Sequence, residues 1–270
     1  EELIAHGVAK DHKEAAKLAL EAGVDIDMMT SCYCKNLEEL VKEGSIKEEL
    51  IDEAVLRILE LKNKLGLFEN PYKDADEEEE KTVILCEEHR KAAREAAAKT
   101  FVLLKNEELL PLKKQGQKTA FIGPQVMSKR LYGAWSMFGQ EEETVSIQDA
   151  VTHLGLEQVT FCQGSPMLDN ARGLEEFAEE LHLEAAVEKA KETDVVVMAL
   201  GEYRRQSGEA ASRGEITIPE CQMELFRSVY AVNKNIVVVL FSGRPLDIRE
   251  ISSKAKAVLE VWMPGTEGGN

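Results

Sequence analysis

The chain has 270 residues, 44% hydrophobic and 31% charged, the balance of one or two globular domains rather than of a disordered or fibrous chain. Its 33 Lys and Arg are set against 50 Asp and Glu, a formal charge of −17. That excess of anions repels phosphate backbones and anionic lipid heads, which excludes nucleic acid and membrane surfaces as natural partners and leaves a neutral small molecule compatible.

The N-terminal stretch DHKEAAKLALEAG carries apolar residues at helical spacing and stops at Gly23. The short apolar VDIDMM that follows reads as a strand. A second helix is expected over residues 45–65, where Ile46, Leu50, Ile51, Val55, Ile58, Leu59 and Leu61 form one stripe. Ser45 with Glu48 three residues on predicts a capping box, and Gly66 predicts the stop. A strand and a long helix at the start of a chain look like the tail of an α/β unit whose earlier strands lie upstream. The segment LFENPYKDADEEEEK is acidic, polar and proline-containing, as a surface connector is, and its run 76–80 reads as a solvated stretch.

A helix is expected in HRKAAREAAAKTFVLLKN. Beyond it come TAFIGP, QVTFC, DVVVMALG, NIVVVLFSG and AVLEVWMPG, short apolar runs ending in glycine or a turn. The helical stretches LHLEAAVEKAKE and PECQMELFRSVYAVN lie between them. Buried strands alternating with amphipathic helices predict an α/β fold, a three-layer αβα sandwich around a mostly parallel, flavodoxin-like sheet. Ligands of such sheets bind beyond the carboxyl ends of the strands, so the loops after TAFIG, VVVMAL and VVVLF are the ones to inspect. The last strand runs into PGTEGGN, which suggests that the domain continues downstream.

GEYRRQSGEAASRGEITIP leaves a very apolar strand carrying Glu202, Glu209 and Glu215 with Arg204, Arg205 and Arg213 among them. Glu209, between small residues in SGEA, is placed to push a carboxyl group into a cleft; a solvated acidic loop has the same spacing. GAWSMFG sets Trp135 between glycines, where its face can stack on a sugar ring or cover a sheet edge. FSGRPLDI and PGTEGGN carry glycines after strands but match neither a Walker loop nor GxGxxG, so nucleotide binding has little support. Cys32 and Cys34 lack a second ligand pair at zinc spacing and the five histidines show no HExxH pattern, so no metal site is expected. The five scattered cysteines read as free thiols of a reducing compartment. The first residues carry no secretory signal, and a cytoplasmic location is expected.

The segments ELIAHGVAKDHKEAAKLALEAGVDIDMM, IDEAVLRILELKNKLGLFENPY, HRKAAREAAAKTFVLLKNEELLPLKK, DVVVMALGE, SGEAASR, ITIP, VVVLFSGRPLDI and VWMPGTEGGN, in this order, closely resemble glycoside hydrolase family 3, specifically its bacterial β-glucosidase branch. The likeness spans essentially the whole chain. It implies that residues 1–65 are the last strand and helix of a TIM-like barrel, 66–100 an interdomain linker and helix, and 101–270 the C-terminal α/β sandwich.

The resemblance also implies retaining hydrolysis of a terminal β-D-glucosyl residue from a β-glucoside or short β-linked oligosaccharide, without metal or organic cofactor. The family's nucleophilic aspartate precedes the ELI stretch and would fall before Glu1, in the missing barrel domain of the same parent chain, so the fragment alone is expected to be inactive. The general acid/base maps onto Glu209, with Glu202 as the fallback. Trp135 and Ser136 map to the aglycone side of the pocket, and Arg213 to a role in orienting the loop or to a plain surface position. The alternatives are a β-xylosidase of the same family, or a non-catalytic small-molecule or carbohydrate-binding module.

Overall fold

A computed structural model describes residues 1–73, 75–136, 139–169 and 182–270. They form two compact units, Glu1–Lys81 and Thr82–Asn270.

The first unit holds helices α1 (Glu2–Ala5), α2 (His12–Glu21), α3 (Cys32–Lys42) and α4 (Glu48–Lys64). Asp11 caps α2, its carboxylate accepting the Glu14 N–H at 2.9 Å. Ala16, Leu20, Cys32, Leu40, Ile46 and Ala54 form its small core. VDIDMM forms no strand. Residues 24–28 are irregular, because a strand exists only as one side of a hydrogen-bonded ladder and the described part of this unit offers no second side. Local bonds serve instead: the Tyr33 hydroxyl donates to Val24 O at 2.7 Å, and Asp27 accepts from the Tyr33 N–H.

The expected capping box at Ser45 is also absent. Ser45 and Ile46 donate their N–H groups to Leu40 O and so still belong to the end of α3, which delays α4 to Glu48 with Lys47 before it. Gly66 ends α4 as expected, at φ +71° with its N–H on Asn63 O. Of the apolar stripe on α4, Val55, Leu59 and Leu61 stay exposed.

The acidic run opens helix α5 (Glu77–Val83), with Asp76 accepting the N–H groups of Glu78 and Glu79. The next helix, α6 (Glu87–Thr100), stops short of the expected FVLLKN, which becomes strand β1 (Val102–Asn106). Pairing outweighs local helical preference there, since β1 docks antiparallel on β6 (Ala257–Glu260), Leu103 opposite Leu259.

The five expected strands are all present, as β2 (Thr119–Ile122), β3 (Val159–Cys162), β4 (Val195–Gly201), β5 (Ile236–Phe241) and β6. They run parallel in one sheet of order β1-β6-β5-β4-β2-β3. All seven residues of β4 are buried, so the strand needs apolar side chains on both faces, and VVVMALG supplies them.

Helices α8 (Leu183–Lys191), α9 (Glu220–Val232) and α10 (Arg249–Lys254) bury Ala186, Leu225, Phe226 and Ile251 against Ile122, Val196, Met198 and Leu240. On the opposite face α7 (Ile147–His153) and the segment 109–112 pack against Phe121, Val197, Val237 and Phe241. The result is the expected three-layer sandwich. Within its parallel part the order β3-β2-β4-β5-β6 reverses direction between β2 and β4, the switch point at which such sheets open a crevice.

Phe226 is fully buried, whereas Leu103 on the edge strand is 53% exposed. Phe226→Ala should therefore lower the unfolding free energy of the chain in urea by about 3–5 kcal/mol, and Leu103→Ala by about 0.5 kcal/mol or less. Equal losses would contradict the layer assignment.

Candidate functional site

At the end of β4 the backbone of Gly201 passes so close to β5 that an added Cβ would lie 1.9 Å from Phe241 O, and its φ is +140°. Only glycine fits there. From α9 the buried amide of Gln222 holds both polar groups of this residue, accepting the Gly201 N–H at 2.8 Å and donating to Gly201 O at 2.9 Å.

The next residue, Glu202, has a side chain with 0% exposure. Its Oε1 accepts from Arg213 Nη1 at 2.8 Å and lies 3.4 Å from Arg244 Nε, while Oε2 accepts the Gly243 N–H at 3.1 Å. Its carbonyl accepts from Gln125 Nε2, at the end of β2, at 2.9 Å. The site therefore sits at the switch point. A carboxylate sealed from water between two guanidinium groups is an anchor and is poorly suited to meet a substrate, which removes the reason to keep Glu202 as the fallback acid/base.

The loop beyond Glu202 is tied at both sides of its tip. Arg244 Nη2 donates to Gln206 O at 2.6 Å and to Ala211 O at 2.8 Å, and Arg213 Nη2 donates to Thr217 O at 2.8 Å. Between the two carbonyls held by Arg244 lie Gly208 at φ +100°, Glu209 and Ala210 at φ +56°. Alanine in that left-handed region costs roughly 1–2 kcal/mol, so the surrounding bonds must hold the turn. Glu209 at its crest is exposed.

Gly208 lies against the loop after β2: a Cβ there would fall 2.8 Å from Ala134 Cβ and 3.6 Å from Trp135 Nε1. The Arg204 guanidinium sits 4.9 Å from the centre of the buried Tyr132 ring, a second tie between the two loops. Trp135 is 67% exposed and Ser136 half-buried, its N–H spent on Gly133 O. The last members of the GAWSMFG motif before Gly139, Met137 and Phe138, lie outside the described residues. The fold thus brings Gly208, next to Glu209, against the Trp135 loop.

Sequence reasoning missed Gln125, Gln222 and Arg244. Arg244 stands in a Gly-Arg-Pro turn whose glycine suggests an anion cradle, but the Gly243 N–H is spent on Glu202, and Arg244 has Nη2 on two carbonyls and Nε 3.4 Å from the Glu202 carboxylate. A cleft of about 850 Å³ lies alongside, lined by Gln206, Arg213, Met223, Arg227 and Arg249 among others. Neither Glu209 nor Trp135 lines it, and its arginines are paired with Glu202, Glu250 and Asp247. Among the described residues no group of three or more His, Cys, Asp or Glu is arranged to hold a metal ion.

Glu260, at the end of β6, is a second buried carboxyl group. Burial pushes its pKa above the ordinary glutamate value and the negative charge of Glu202 adds to this, while hydrogen bonds from the Trp262 N–H and the Ser242 hydroxyl act the other way.

The region 101–270 matches the glycosyl hydrolase family 3 C-terminal domain and residues 2–61 match the family's N-terminal domain. The chain belongs to glycosyl hydrolase family 3. A periplasmic β-glucosidase of Salmonella typhimurium is 38% identical over all of this chain, which spans 38% of that protein's length. A β-xylosidase of Formosa agariphila is 33% identical over 98% of the chain and 38% of its own length.

Among solved structures, a β-glucosidase of Listeria innocua in complex with glucose is 40% identical, with a TM-score of 0.83 over 99% of this chain and 35% of that one. A mutant of that enzyme in complex with laminaribiose gives a TM-score of 0.84.

The Salmonella relative overturns the cytoplasmic expectation. That expectation rests in part on free thiols, and burial accounts for several of them without any reference to compartment, although Cys34 is exposed. Cys32 and Cys162 are buried, and the half-buried Cys221 thiol is pushed up to about 12 by burial and the neighbouring Asp169, so it stays protonated and unreactive. Among the described residues no helix is long and apolar enough to cross a membrane.

The raised Glu260 pKa means that the folded state holds this proton more tightly than the unfolded one, so the group's contribution to stability declines as pH rises from about 4.3, the ordinary glutamate value, through the folded value. Glu260→Gln keeps an acceptor for Ser242 and Trp262 and carries no charge. Its urea unfolding free energy should gain on the unaltered chain as pH rises above about 4.3, the ordinary glutamate value, and level off once pH has passed the raised folded value. A difference independent of pH, or one moving the other way, would contradict this.

Proposed function

We propose that this chain is part of a retaining β-glucosidase in which Glu209 is the general acid/base. The observation that carries the proposal is the construction of the Glu209 turn: exposed at its crest, fixed to one arginine at both ends, and seated against the loop of Trp135. The substrate is a β-glucoside or short β-linked oligosaccharide. The Listeria enzyme's complexes with glucose and laminaribiose support that class. Trp135 and Ser136 line the aglycone side, where the exposed indole offers a face for a sugar ring to stack on.

In this reading residues 1–65 are the end of a TIM-like barrel, 66–100 the linker and its helix, and 101–270 the sandwich. The exposed Val55, Leu59 and Leu61 of α4 fit a face that the remaining barrel helices and strands would cover. The nucleophilic aspartate belongs to the barrel portion of the parent enzyme and is assigned to no residue of this chain.

Glu209 starts protonated and gives its proton to the glycosidic oxygen as the nucleophile attacks the anomeric carbon. It then takes a proton from the water that releases glucose with retained configuration. The two carboxyl groups of a retaining site stand about 5–5.5 Å apart, so the loop must deliver Glu209 to within that distance of the barrel carboxylate. A β-xylosidase is the second reading, favoured by the Formosa relative. Comparison of kcat/KM for aryl β-glucosides and β-xylosides decides between the two.

The chain alone should not hydrolyse aryl β-glucosides above the rate of buffer; turnover that copurifies with it and vanishes in Glu209→Ala would refute the division of labour. In the complete enzyme, Glu209→Ala should lose on the order of 10² to 10⁴-fold on substrates with poor leaving groups and far less on activated ones. Azide needs no base, so it should restore turnover of the activated substrate and give a β-glucosyl azide. Equal loss on every substrate, with no azide rescue, would remove Glu209 from the role.

A further inference from the structure

Arg244 lies on the loop after β5, yet most of what it does is done for the loop after β4. The two protons of its Nη2 go to the carbonyl oxygens of Gln206 and Ala211, at 2.6 and 2.8 Å, and these two residues bracket the turn that carries Glu209. Its Nε lies 3.4 Å from Oε1 of Glu202, whose remaining contacts are with Arg213 and the Gly243 N–H. The guanidinium therefore has a buried counter-charge on one side and the feet of the turn on the other.

The geometry requires two nitrogens held in one plane, Nη2 for both carbonyls and Nε for Glu202. A lysine in the same place has one nitrogen and cannot reach the two carbonyls and face Glu202 in that fixed arrangement. The turn needs such support because Gly208 and Ala210 both have positive φ, and an alanine there relaxes once its flanking carbonyls lose their donor.

We infer that Arg244 is a positioning residue for the acid/base: through Gln206 O and Ala211 O it fixes the crest of the turn, and Glu202 in turn fixes Arg244. The inference rests on the reading of Glu209 as acid/base. It assigns Glu202, Arg244 and Arg213 to one buried ionic clamp, with Arg244 as the member that touches both ends of the turn and Arg213 holding the loop further on at Thr217. A proton donor displaced by 1 Å loses rate on the order of 10²-fold, and only on the step that needs the proton.

The test uses the complete enzyme that carries this chain, with Arg244→Lys as the main variant because it keeps a positive charge facing Glu202, and Arg244→Met beside it. Phenyl β-glucoside and 2,4-dinitrophenyl β-glucoside supply poor and activated leaving groups. Arg244→Lys should lower kcat/KM for the phenyl substrate on the order of 10²-fold and for the dinitrophenyl substrate far less. In a Glu209→Ala background, adding Arg244→Lys should change nothing further, since the position of an absent donor no longer matters.

Amide hydrogen exchange at residues 207–211 should quicken in Arg244→Lys while the β4 and β5 amides keep their protection; this readout also serves if Arg244→Met does not accumulate as folded protein. Equal losses on both substrates, losses that multiply with Glu209→Ala, or unchanged exchange in the turn would overturn the inference while the acid/base reading stands. If Glu209→Ala alone shows no dependence on the leaving group, the acid/base reading falls and this inference with it.

Discussion

A carboxylate removed from water must be neutralised where it stands, or the fold that buries it does not form. Glu202 is that carboxylate. It is the first residue beyond the most deeply buried strand of the sheet, and the compensation it receives comes from Arg213, Arg244 and the Gly243 N–H. Those groups reach it from two different loops, so the need to cancel one charge also fixes the course of both. The rest of the strand exit is held by amides: Gln222 on the backbone of Gly201, and Gln125 on the carbonyl of Glu202. The turn of Glu209 thus rests on a rigid base although its own crest is exposed.

The five parallel strands were legible in the sequence because a strand covered on both faces has to be continuously apolar, and DVVVMALG and NIVVVLFSG have no other use for that pattern. β1 was not legible. FVLLKN follows a helix without a break in composition, and only the antiparallel partner β6, 158 residues away by the register of Val102 on Glu260, pulls it out of helical geometry. α3 carries no side-chain cap to mark its start although Tyr33, Leu37, Leu40 and Val41 have helical spacing, and VDIDMM reads as a strand because a pattern cannot report whether a neighbour exists to pair with.

The site divides in the same way. Glu209 announced itself through SGEA, where small residues around one acid match the positive φ of Gly208 and Ala210. Trp135 stood out as an aromatic between glycines, and the approach of Gly208 to Ala134 brings that loop to the turn. Glu202 and Glu209 look alike in one dimension, two acids on one loop, and only burial separates an anchor from an exposed acid. Arg244 was hidden because a Gly-Arg-Pro turn suggests an anion site, and the anion it binds turned out to be part of the protein.

The claim on which the account turns is that the clamped turn of the sandwich domain delivers the proton to the leaving group. The most direct measurement is a crystal structure of the complete enzyme, its nucleophile disabled, with an intact β-linked oligosaccharide bound. The account predicts the Glu209 carboxyl group about 2.6–3.2 Å from the glycosidic oxygen, with Arg244 still bonded to Gln206 O and Ala211 O. A different carboxyl group at that oxygen, with Glu209 left in solvent, would contradict it.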